Sequence, residues 1–304
     1  MTREEAERLL GLAREAELVG PDAATWTERL TPERDGLEAA ARFLAENGEE
    51  EAAAELAANV WRLWHLSGDV AGGRRFLATA LDVADPKPSR ARALALYADG
   101  ALAFRAGAQA ESRERNEAAL DAARAVGDRE AESLGLVGLS RVAFRDGDYA
   151  RVRALAAEAR ELTRELDAAA GVAPLHMLAA GTRLAGDHDA AVELYTESLE
   201  LNRRLGDSRM VGMELHNIGQ VELHRGDVAA AERCFDECAD VRNLDDPYEA
   251  AMARLNHAAL AFACGDRERA AELLRQTQST LDGAGIVLDP DDAYEVEWLA
   301  EHLD

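Results

Sequence analysis

Apolar and small residues recur along this chain at the spacing of amphipathic helices, as in 210–225 (MVGMELHNIGQVELHR). The helical segments are cut at a regular interval. A turn glycine, usually followed by Asp, stands at Gly68, Gly107, Gly147, Gly186, Gly226 and Gly265, with intervals of 39, 40, 39, 40 and 39 residues. A second break falls about half a period later, at Gly127-Asp128, Leu166-Asp167, Gly206-Asp207 and Asp245-Asp246. Each period therefore holds two helices of similar length. Glycine ends the first, and the following Asp can cap the second. Five residues after each turn glycine stand Gly73, Ser112, Val152, Ala191, Ala231 and Ala270. Seven residues before it stand Gly100, Ser140, Ala179, Gly219 and Ala258, with Trp61 departing from the rule in the first copy. Small residues at both places predict closely approached helix pairs, so they are read as packing interfaces.

A fixed period of about 40 residues built from helix pairs is the signature of a stacked array. The register of small residue, turn and small residue, repeated six times over Glu49–Asp282, resembles the tetratricopeptide repeat in its longer form. That resemblance implies an all-α, right-handed superhelical solenoid of helix–turn–helix units. The expected organisation is an N-terminal helical cap over 1–48, six repeat-like helix pairs over 49–285 and a C-terminal capping helix over 286–304. The aromatic positions of the repeat are sparse: Tyr195 and Phe235 sit nine residues after their turns, where other copies have Leu77, Asn116, Ala156 and Leu274. Thr31-Pro32-Glu33, Asp246-Pro247 and Asp289-Pro290 read as helix starts.

Composition removes several classes of function. The formal net charge of −25 argues against a nucleic-acid binder or a protein docked on anionic lipid. No apolar run long enough to cross a membrane occurs, and the charged opening MTREEAERLL does not read as a secretory leader. Of 34 basic residues only Lys87 is lysine, in the connector Asp85-Pro86-Lys87-Pro88. A Gly-x-x-x-x-Gly-Lys phosphate loop is therefore impossible, and neither Gly-x-Gly-x-x-Gly nor His-Glu-x-x-His occurs. The preference for Arg over Lys, with heavy Ala, Gly and Asp, suggests a GC-rich genome. The odd count of three cysteines, Cys234, Cys238 and Cys264, is no disulfide framework and supplies no set of zinc ligands. They read as packed thiols in a reducing cytoplasm.

The segment 20–37 (GPDAATWTERLTPERDGL), followed by Trp61-Arg62-Leu63-Trp64 and Gly73-Arg74-Arg75-Phe76-Leu77, carries a further resemblance. It is similar to the region where repeats begin in actinobacterial regulators of the signal-transduction ATPase class, relatives of the antibiotic regulatory proteins and LuxR-type regulators. Those proteins place a DNA-binding domain and an ATPase before the repeats. Neither is read here, so the resemblance implies a related scaffold without its regulatory chemistry.

In tetratricopeptide-like arrays the first helix of each pair lines a concave inner face, and helical periodicity decides which side chains share it. Positions ten, nine, six, three and two before each turn glycine select Asn59, Arg62 and His65; Tyr97, Phe104 and Arg105; Arg141, Phe144 and Arg145; His176, Met177 and Arg183; His216, Asn217, Gln220 and His224; and Asn256 and Phe262. No Asp or Glu is among them. The expectation is a basic groove in an acidic protein, suited to carboxylates or an acidic segment. The candidate ligand-binding residues are Arg62, Tyr97, Arg105, Arg141, Arg145, His176, Arg183, His216, Asn217, Gln220, His224 and Asn256. Asn217 and Asn256 are one repeat apart, and their amides can hold a peptide backbone, the role the family gives Asn in this register. Taken singly, an Arg in a last helical turn is also what the helix dipole favours.

The stretch 286–304 carries seven acids and no Lys or Arg, with Tyr294, Trp298 and Leu299 forming an apolar stripe. A polar-faced helix that stops the stacking accounts for it, and an autoinhibitory tail is the sharper alternative. The sequence reading is thus a non-catalytic, regulatory, protein- or peptide-binding scaffold, with no cofactor and no metal. A sensor of a small anionic ligand is the alternative, followed by an atypical enzyme. No nucleophile–base pair or paired groove carboxylates support the last.

Overall fold

The computed structural model describes residues 1–83 and 86–303, and all regular structure among them is helical. In chain order the helices are α1 (Arg3–Glu15), α2 (Ala23–Leu30), α3 (Arg34–Glu46), α4 (Glu50–Val60), α5 (Arg62–Leu66), α6 (Val70–Leu81), α7 (Arg90–Arg105), α8 (Gln109–Val126), α9 (Arg129–Arg145), α10 (Tyr149–Thr163), α11 (Val172–Leu184), α12 (His188–Leu205), α13 (Ser208–Arg225), α14 (Val228–Val241), α15 (Pro247–Ala263), α16 (Arg267–Ala284) and α17 (Pro290–Leu303). Consecutive helices pack in pairs, such as α7 with α8, α13 with α14 and α15 with α16. The fold is tetratricopeptide-like. Asp85 of the expected connector lies outside the described residues, while Lys87 is exposed.

The punctuation read from the sequence is built as expected. All six turn glycines sit at φ between 72° and 85°, a left-handed conformation that strains any residue with a Cβ. The Asp after the turn then caps the next helix. Asp227 Oδ1 accepts from the Ala230 N–H at 2.9 Å and Asp266 Oδ1 from the Arg269 N–H at 3.1 Å. In the second copy Ala108 replaces the Asp, and no side chain caps α8. Asp227→Ala is expected to cost about 1 kcal/mol of stability, read from the midpoint of denaturant unfolding. Asp246 caps α15 ahead of Pro247. Thr31 behaves differently from the expected cap. Its hydroxyl donates to the Thr27 carbonyl at 2.6 Å, and Thr31–Glu33 forms a 3-10 turn joining α2 to α3.

The small residues flanking each turn are where helices meet. Ser112, Ser140, Val152, Ala179, Ala191, Ala231, Ala258 and Ala270 are fully buried. At Gly219 a Cβ would stand 2.2 Å from the ring of buried Phe235. Gly219→Ala is therefore expected to lower stability by about 1–3 kcal/mol through overpacking. An unchanged thermal midpoint would show that the ring yields freely. Trp61, the departure in the first copy, is buried and marks the break between α4 and α5.

The chain divides into two compact units, Met1–Ala143 with Ala154–Pro174, and Phe144–Arg153 with Leu175–Asp304. The core of the first includes Leu9, Leu37, Leu56, Leu77 and Leu102, with Trp64 stacked on Phe76 at 4.3 Å between ring centroids. In the second, Met252 and Leu255 of α15, Leu274 and Leu281 of α16 and Leu299 of α17 form one apolar cluster. Cys238 is buried, as expected of a packed thiol, and its Sγ donates to the Gly212 carbonyl at 3.1 Å. Cys264 departs from that reading and is exposed.

Candidate functional site

In the second unit the first helices of three pairs, α11, α13 and α15, direct polar side chains onto one surface. His216, Gln220 and His224 are spaced by four along α13 and so share one face. Onto this surface α17 lays three carboxylates. Asp291, Asp292 and Glu295 are only 7%, 5% and 3% exposed. Their spacing, i, i+1 and i+4, puts them on one side of a single helical turn.

The contacts form two linked networks. Glu295 accepts a charge-assisted hydrogen bond from Arg183 Nη2, and both its oxygens lie 3.0 Å from His224 Nε2. Arg183, 2% exposed, donates its other arm from Nη1 to Asn217 Oδ1 at 2.6 Å. Asp292 lies 3.0 Å from His216 Nε2 and accepts a hydrogen bond from the Tyr248 hydroxyl. Behind it, Asn256 Oδ1 faces His216 Nδ1 at 2.7 Å and accepts from Gln220 Nε2 at 3.1 Å. Both ring nitrogens of His216 thus face oxygen atoms, Asn256 Oδ1 and Asp292 Oδ1. Farther along α17, Trp298 meets His224 edge-on at 4.9 Å and Phe262 at 5.7 Å, and stacks on His302 at 4.0 Å.

The electrostatics follow from burial and pairing. Burial pushes the Glu295 carboxyl up, but the charge of Arg183 and the hydrogen bond to His224 outweigh it and hold it below the usual range. Asp292 is likewise held low: burial raises it, while His216 and Tyr248 overcome that cost. Arg183 is held more firmly protonated than usual, its desolvation outweighed by Glu295 and neighbouring acids. Asp291 goes the other way. Burial and the adjacent Asp292 raise its carboxyl from 3.8 to about 6, against the pull of Arg183 and His176.

The other expected residues are arranged differently. His176, half-buried on α11, turns its Nδ1 to Glu214 Oε1 at 3.0 Å, and Glu214 also accepts from Ser198 Oγ at 2.6 Å. Arg145 lies 3.8 Å from Asp289, just ahead of α17. In the first unit, Arg141 Nη1 donates to the Tyr97 hydroxyl at 3.1 Å. Arg62 packs its guanidinium 4.7 Å from the Trp61 ring centre. Burial raises the Tyr97 phenol, but the charges of Arg141 and Arg62 outweigh it and lower it. Arg105 is exposed.

The expectation of an inner surface free of carboxylates is corrected in the second unit. Glu214, fully buried, stands twelve residues before its turn glycine, and α17 adds three more acids. Twelve is outside the positions taken from the repeat register, so Glu214 was missed. Tyr248, in the first turn of α15, lies beyond the same window. The α17 carboxylates had a signal, the seven acids without a cation over 286–304. Sequence spacing does not reveal that they fold onto α11 and α13. Among the described residues, no group of three or more His, Cys, Asp or Glu is placed to hold a metal ion. No described helix is long and apolar enough to cross a membrane.

Comparison with known proteins agrees with this architecture. Residues 172–243, which include α11 to α14, match the family model of the tetratricopeptide repeat. A Rap protein crystallised with competence and sporulation factor superposes with a TM-score of 0.62 at 15% identity, over 97% of this chain and 80% of that one. The apo quorum sensor NprR from B. thuringiensis gives 0.59 at 13% identity, over 98% and 80%. A tetratricopeptide repeat protein from Parabacteroides merdae gives 0.57 at 12% identity, over 97% and 98%. Curated protein sequences give no significant match. At such identities the likeness is one of fold.

Proposed function

We propose that this chain is a non-catalytic, regulatory scaffold that binds protein or peptide segments through carboxylates, on the α11–α13–α15 surface. One observation carries the reading. The surface pairs a basic side chain with an amide in successive repeats, Arg183 with Asn217 and His216 with Asn256, and each pair receives a carboxylate. Arg offers a fixed fork to an acid, and an amide behind it holds that fork in place. The fold is shared with a Rap protein complexed with competence and sporulation factor and with a quorum sensor, which supports a regulatory role. Panning a display library of random peptides against the chain should enrich sequences with closely spaced Asp and Glu. Arg183→Met should abolish that enrichment, and a library that enriches without acidic bias rejects the reading.

A second reading, a sensor of a small anion, is favoured by the first unit. Burial and the neighbouring charge of Arg141 disfavour the charged form of Arg62 there, against the pull of Tyr97, and Arg141 itself donates to the Tyr97 hydroxyl. Titration with acetate or inorganic phosphate should quench Trp61 and lose the response in Arg62→Met. A flat titration removes this reading.

A further inference from the structure

Resting on the carboxylate-binding reading, we infer that α17 is a resident ligand of the α11–α13–α15 surface, and that a partner binds by presenting an acidic amphipathic helix that displaces it. A helix serving only to end the stack would seal the last pair, α15 and α16. α17 does seal that pair, through Leu299 in the apolar cluster of α15 and α16, but it also reaches back to residues far earlier in the chain. Glu295 pairs with Arg183, 112 residues away, and Asp292 with His216, 76 residues away. The ionic part of the contact is more than a cap requires. The apolar residues of α17 alone would close the stack without desolvating three carboxylates, and buried ion pairs gain little over well-packed apolar groups. Ionic contacts specify register and partner more than they add stability, which suits an exchangeable ligand.

The occupant defines what the surface accepts. Asp292 and Glu295, one turn apart, meet the two basic–amide pairs, and Asp291, next to Asp292, is buried within the pull of Arg183. Two turns after Asp291, Trp298 fills the gap between His224 and Phe262. The matching partner segment is Asp-Asp-x-x-Glu-x-x-aromatic on a helix, recognised by side-chain acids and one aromatic anchor. Gly285, at φ 62°, ends α16, and the segment 286–289 joins it to α17, so the ligand is a separate element on a short connector.

The test uses the full chain and a fluorescent synthetic peptide of residues 288–303. A control peptide carries Asp292→Asn and Glu295→Gln. The wild-type chain, its surface occupied, should bind the peptide weakly. A full chain carrying Asp292→Asn and Glu295→Gln in its own α17 should bind it about tenfold or more tightly, since the competent fraction rises. Neither chain should bind the control peptide. Trp298→Ala, which leaves the acids and removes the anchor, should also raise affinity for the peptide, and circular dichroism checks that each variant keeps its helices. Equal binding by wild-type and both released chains, lost in each on Arg183→Met, overturns displacement and leaves the carboxylate-binding surface standing. Binding that is absent from every chain, or indifferent to Arg183, overturns both. Wild-type chains that pair through exchanged α17, seen as a concentration-dependent mass in sedimentation, overturn occupancy within one chain.

Discussion

Arg183→Met is expected to release α17. The substitution keeps an apolar stem of similar length but removes the charge facing Glu295, a carboxylate only 3% exposed. Leaving one partner of a buried ion pair uncompensated costs about 3–5 kcal/mol. His224 remains beside Glu295, and Asn217 loses its donor from the guanidinium. α17, a helix of 14 residues, is expected to loosen its docking before it buries an unpaired charge. Amide exchange over 290–303 should therefore accelerate while α13 and α14 stay protected, and Trp298 fluorescence should shift to the red. A second change, Glu295→Leu, should restore much of the protection, because replacing both charges with apolar groups avoids the stranded carboxylate. Unchanged exchange in Arg183→Met would show that the pair contributes nothing to docking.

The second large effect depends on pH. Asp291 is raised from 3.8 to about 6 by burial and by Asp292, so its ionised form is penalised in the folded protein. Above about pH 6 the folded chain carries that penalty in full. Between about pH 6 and pH 4 the folded state takes up a proton that the unfolded chain does not, so falling pH relieves the penalty. The charges facing this carboxyl are Asp289 and Asp292 from its own segment and Arg183 and His176 from α11. Asp291→Asn should thus stabilise the chain at pH 7.5, with a ceiling on the order of 3 kcal/mol. The gain should shrink to nothing near pH 4. Asp292 and Glu295 have the opposite sign: both are held low, so their contribution is present above their ordinary range and is lost as pH falls through their folded values. Thermal midpoints of wild type and Asp291→Asn at pH 4, 5.5 and 7.5 check the sign. A gain independent of pH would mean that packing of the amide, rather than a buried charge, is responsible.

Much of this site was legible along the chain. The inner register selected Arg183, His216, Asn217, Gln220, His224 and Asn256, and the structure gathers all six where α17 docks. The same register included Arg105, which is exposed, because a last-turn Arg also satisfies the helix dipole without any ligand. The register also included His176, whose partner is the buried Glu214 of the next repeat. Local spacing orders side chains around one helix. It does not say which carboxylate from another element will meet them.

The 39–40-residue period, the glycine turns, the Asp caps and the small residues at each crossing follow from sequence alone, because each is a local constraint. A left-handed turn needs glycine, a helix start needs an acceptor, and close helices need small side chains. Where α17 rests was decided only by the tertiary structure. Its acids could equally have faced solvent on a terminal helix with the same composition. What meets them is a set of basic and amide side chains up to 112 residues earlier in the chain, and no local pattern records a contact at that distance.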